Sequence, residues 1–64
     1  MDDHRRDRVL ELAARAGMLL EHTSATLILL PGEPPDQIGS NINSASGELE
    51  RAIELLASAK AMLE

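Results

Sequence analysis

A chain of 64 residues holds one domain at most, and a chain this short buries a smaller fraction of its surface than a domain of ordinary length. It has no cysteine, which removes disulfides and thiolate metal sites as staples, and no Phe, Trp or Tyr, so any core is aliphatic. Eleven acidic residues against six basic ones give a formal charge of −5, which argues against an electrostatic grip on nucleic acid or on an anionic membrane. For so small a core, oligomerisation or very regular helix packing is the remaining support against conformational entropy. The N-terminus is charged with no apolar stretch behind it, so no signal peptide is expected there. The longest fully apolar run, 27–30, falls far short of the ~20 residues of a membrane span. The expectation is a cytoplasmic protein without a membrane segment.

The first predicted element is a helix over about 3–30. Asp2 and Asp3 stand where negative charge favours the N-terminal end of the helix dipole. From Val9 onward, apolar or small residues fall at Ala13, Ala16, Leu20, Thr23, Leu27 and Leu30, in alternating steps of four and three. That spacing keeps one seam of a helix against a partner. Leu10, Leu12 and Leu19 broaden it in the manner of a bundle. Glu11 and Arg15 lie away from the seam at a favourable i,i+4 spacing.

A turn over 31–33 follows. Pro31 disfavours helical angles in the residue before it, and Gly32 accepts left-handed ones. Proline is welcome in a first helical turn, and an acidic residue there suits the dipole, so Pro34, Pro35 and Asp36 can open a second helix.

The second predicted helix, about 34–63, carries a conflict over "PPDQIGSNINSASGELE", 34–50. Its glycines, asparagines and serines suit a linker, and Gly39 and Gly47 each cost about 1 kcal/mol relative to Ala inside a helix. Yet counting from Ile38, the positions Ile42, Ala45, Leu49, Ala52, Leu56, Ala59 and Leu63 keep one phase throughout. A linker has no reason to share phase with the helix after it, so the spacing predicts one continuous helix. Folded back at 31–33, the two helices form a hairpin in which Leu27 meets Ile38 and Thr23 meets Ile42. The fold expected is all-α: one helical-hairpin domain over 1–64, dimerising into a four-helix bundle.

The dimer is inferred from apolar residues left over once one seam is filled. Ile28 and Leu29 stand one heptad after Glu21 and His22, so that side of the helix turns from polar to apolar near the turn. Ile53, Leu55 and Met62 broaden the second helix in the same way. With Leu12 and Leu19 they form the candidate interface, since monomers rarely expose large contiguous apolar patches. Gly39, Ala45, Ser46 and Gly47 make a small-residue surface that reads as close helix packing or as a hinge.

Catalytic and ligand-binding patterns are not recognisable. Neither His4 nor His22 has a glutamate three residues before it, as inward-facing bundle metal motifs have. There is no Gly-rich phosphate loop and no HExxH motif, so no cofactor, metal or enzyme activity is expected. Arg5, Arg6 and Arg8 cluster but are interleaved with Asp2, Asp3 and Asp7. The leading expectation is a non-enzymatic protein-interaction module, a homodimer that regulates or scaffolds a partner; the other reading of the surplus apolar surface is a groove for a partner's helix. The alternatives are a nucleic-acid-binding bundle using Arg5, Arg6, Arg8 and Arg15, and a small subunit of a larger complex. In size and two-helix plan the chain is similar to Rop, a plasmid copy-control RNA-binding protein; the likeness is one of architecture, which does not carry function.

Overall fold

The computed structural model describes residues 2–64 as a helical hairpin. Helix α1 spans Asp3–Ile28, a 3-10 turn spans Leu30–Gly32, and helix α2 spans Pro35–Leu63. Asp2 caps α1, its carboxylate accepting the Arg5 backbone N–H at 2.7 Å, which satisfies one of the unpaired donors of the first turn. At the other end the helix tightens instead of swinging to the left. Leu29 N–H donates to the Ala25 carbonyl, and Gly32 and Glu33 N–H donate to those of Leu29 and Leu30. No described residue has a positive φ, so Gly32 does not use the left-handed conformation expected of it. Pro35 opens α2 at its first helical position, with Asp36 in the first turn.

The stretch 35–50 is helix throughout, without a break at Gly39 or Gly47. Its heptad phase outweighs its loop-like composition.

The seam between the helices is a neighbour of the expected one. Val9, Ala16, Thr23 and Leu30 on α1, and Ile38, Ala45, Ala52 and Ala59 on α2, are buried or half-buried as the spacing predicts. The alternate positions differ. In place of Ala13, Leu20 and Leu27, α1 turns Leu12, Leu19 and Thr26 inward; in place of Ile42, Leu49, Leu56 and Leu63, α2 turns Asn41, Glu48, Leu55 and Met62 inward. Each helix is therefore rotated by half a position, roughly 50°, about its axis. The register differs too: Thr23 meets Glu48, six residues beyond Ile42, because the 3-10 turn prolongs α1 before the chain reverses.

The result is a seam of two characters. Toward the open end, Leu12, Ala16, Ala52, Leu55 and Ala59 form a continuous apolar core, with Val9, Leu19 and Met62 packed against it. Toward the turn, the seam holds Thr23, Thr26, Asn41 and Glu48 alongside Ala45, with Leu30 and Ile38 half-buried beside the turn itself. The hairpin is long and thin, 49 × 14 × 11 Å, with a Cα radius of gyration of 14.9 Å. A compact globule of this length has a radius of roughly 11 Å. One dimension is that of a single helix, so the chain forms one layer where stable domains pack two.

Candidate functional site

The rotation of the two helices decides what the hairpin presents to its surroundings. Residues immediately following the alternate inward positions, namely Ala13, Leu20 and Leu27 on α1 and Ile42, Leu49, Leu56 and Leu63 on α2, occupy one flank of each helix and are exposed. The pseudo-two-fold axis relating antiparallel helices runs perpendicular to the plane of the pair, so equivalent flanks fall on the same broad side. The coordinates bear this out near the turn, where Leu20, Leu27 and Leu49 line one open groove with Thr23, Ser24 and Ile28. The opposite flank is mixed: a second groove is lined by His22, Ala25, Thr26, Leu29, Glu33 and Asn41. The middle of the turn half thus has Thr23, Thr26, Asn41 and Glu48 between its helices and leucines outside them, with Ala45, Leu30 and Ile38 as its inward apolar residues.

The candidate interface residues separate into two groups. Leu12 and Leu55 are buried at 4% and 5% exposure in the intrachain core, with Leu19 and Met62 packed beside them, so those four are taken up by the hairpin itself. Ile28, Leu29 and Ile53 lie outside it, at 73%, 63% and 66% exposure. Ile28 borders the leucine groove and Leu29 the mixed one, so the structure does not bring these two to one surface. Of the small residues, Ala45 is buried in the seam, while Gly39, Ser46 and Gly47 are exposed. A β-carbon placed on Gly39 or Gly47 would meet nothing within 4 Å, so neither glycine serves close packing inside the hairpin.

A polar cluster that the sequence did not announce is centred on Glu48. Thr23, 2% exposed, donates its hydroxyl to Glu48 Oε2 at 2.6 Å, and His22 Nδ1 lies 2.8 and 2.9 Å from the two carboxylate oxygens. The Thr23 hydrogen bond and then that of His22 hold the Glu48 carboxyl below the ordinary glutamate range, against a smaller opposing effect of burial. His22 itself is largely exposed, but it has this carboxylate across the seam as a partner. The sequence carries only a weak signal of it: Asn41, Glu48, Leu55 and Met62 repeat every seven residues, but the expected register set Ile42 against Thr23.

Three of the four candidate arginines, Arg6, Arg8 and Arg15, stand in ion pairs with carboxylates. Arg6 pairs with Asp7, Arg8 and Arg15 both with Glu11, and Arg51 with Glu54. Among the described residues no three of His, Asp and Glu converge as metal ligands do, and no helix is long and apolar enough to cross a membrane. No protein-family model, curated protein or solved structure matches the chain.

Proposed function

We infer that this chain is a non-enzymatic protein-interaction module, a helical hairpin that self-associates into a four-helix bundle and regulates or scaffolds a partner. The inverted turn half carries the reading: Thr23, Asn41 and Glu48 face inward while Leu20, Leu27 and Leu49 line an open groove. A helix pair so arranged gains further stability when another apolar surface covers its outer leucines. A single-layer hairpin becomes a two-layer domain by pairing with a second one. The arginine pairs favour this class over nucleic-acid binding, since each side chain in them already has a carboxylate partner.

Light scattering coupled to size exclusion tests the reading directly. The expected mass is twice the 6.9 kDa of the chain. A folded monomer at every concentration would sink it.

A further inference from the structure

We propose that the leucine flank, Leu20, Leu27, Ile42, Leu49, Leu56 and Leu63, is the surface that docks a second copy of this chain, with Gly17 and Gly39 as the recesses that receive its side chains. The inference rests on the self-association reading above and assigns it a face.

The size of the uncovered surface fits that occupant. The chain exposes 4716 Å². A compact monomer of 6.9 kDa exposes about 4000 Å², so the excess is about 700 Å². A standard protein interface buries about 800 Å² on each partner, so one further copy laid on one broad side accounts for the excess.

The chemistry of the flank points the same way. Between residues 10 and 27 on α1, and 39 and 63 on α2, the leucine positions and those bordering them on their outer edge include a single charged residue, Lys60. A strongly charged partner would find nothing to pair with. The outer border consists instead of small residues, Gly17 and Ser24 on α1 and Gly39 and Ser46 on α2, with the larger Leu10 and Ile53 nearer the open end. Large side chains and recesses therefore lie side by side on one face. A face that carries both can interlock with its own copy across a two-fold axis, each hairpin supplying side chains to the other's gaps.

The glycines add an independent observation. A mid-helix glycine costs about 1 kcal/mol relative to Ala. Nothing lies within 4 Å of where a β-carbon would stand on Gly17, Gly39 or Gly47, so the hairpin's own packing gives no reason for their bareness; Gly47 lies away from the leucine flank, and what sets Gly17 and Gly39 apart is their position. Both border the leucine flank, where a helix approaching from outside would need the room.

The test compares full-length variants by sedimentation and light scattering, with helicity monitored by circular dichroism. Leu49→Glu on the leucine flank, and Gly39→Leu in a recess, should each raise the dimer dissociation constant at least about tenfold, the step worth 1.4 kcal/mol. Leu29→Glu, on the opposite flank, should leave it unchanged. To separate dissociation from unfolding in Leu49→Glu, single cysteines provide a second readout in this cysteine-free sequence. Ser46→Cys beside the leucine flank should oxidise to a covalent dimer, and Ser58→Cys on the opposite flank should not. Dissociation by Leu29→Glu with Leu49→Glu still dimeric, or cross-linking at Ser58 and none at Ser46, would overturn the assigned face while leaving the dimer intact. A monomeric parent would remove the self-association reading itself.

Discussion

A carboxylate placed between two helices must find donors, and Glu48 finds the shortest in the Thr23 hydroxyl at 2.6 Å, with the His22 ring beside it. Unpaired, the same group would penalise the seam; paired, it sets Thr23 opposite residue 48 and so fixes the register in which the helices lie. The cluster also leaves a signature in pH. Because the folded pKa of Glu48 lies below the ordinary 4.5, its contribution is fully present above that value and is lost as pH falls through the lower folded value. Glu48→Gln should therefore flatten the acid limb of stability: denaturant midpoints at about pH 7 and about pH 3.5 should lie closer together than in the parent. An unchanged acid limb would show that the carboxylate is not held as described. In the apolar half, Leu55→Ala should cost about 2–3 kcal/mol by thermal or chemical unfolding, since it opens a cavity in a core of few large side chains.

At the scale of the element, α2 tests how far periodicity can override composition. Asn43 is exposed and lies off both flanks, in the middle of the stretch that resembles a linker. Asn43→Pro should lower stability by about 3 kcal/mol or more with loss of helical dichroism, whereas a linker would absorb it. Conversely, Gly47→Ala meets no obstruction and should raise stability by about 0.5–1 kcal/mol. The existence, order and heptad spacing of both helices were legible in the sequence, as was half of each seam, because Ala16, Thr23, Ala45 and Ala52 stay inward under either rotation. The other half was not. The leucines at 20, 27, 49 and 56 form a more apolar stripe than Leu12, Leu19, Thr26 and Glu48, and a periodicity reading chooses the more apolar of two adjacent stripes. Each helix carries two such stripes, and only the pairing across the seam, Thr23 with Glu48, tells which one the hairpin takes.

For the molecule as a whole, thinness is the governing property. At 11 Å in its narrowest dimension, the hairpin has no layer that is remote from solvent. Its stability should therefore depend on protein concentration, with the thermal midpoint rising steadily across a dilution series because association favours the folded state by mass action. A midpoint independent of concentration would mean that the single layer suffices. The face assignment belongs to this scale as well, since neither helix alone places the leucine positions of α1 beside those of α2.

The position of the apolar core has a kinetic meaning. The cluster joins Leu12 to Ala59, 47 positions apart, and lies at the end of the hairpin away from the turn. The contact between Thr23 and Glu48, 25 positions apart, is nearer in sequence and polar, and only Leu30 and Ile38 offer half-buried apolar surface beside the turn. Closing a loop of that length costs about 3 kcal/mol of chain entropy beyond a constant. Zipping outward from the turn thus meets little hydrophobic gain until the helices are nearly aligned along their length. Such a chain folds more slowly than helical content alone implies, and the bend at 29–34 guides the two arms more than it binds them.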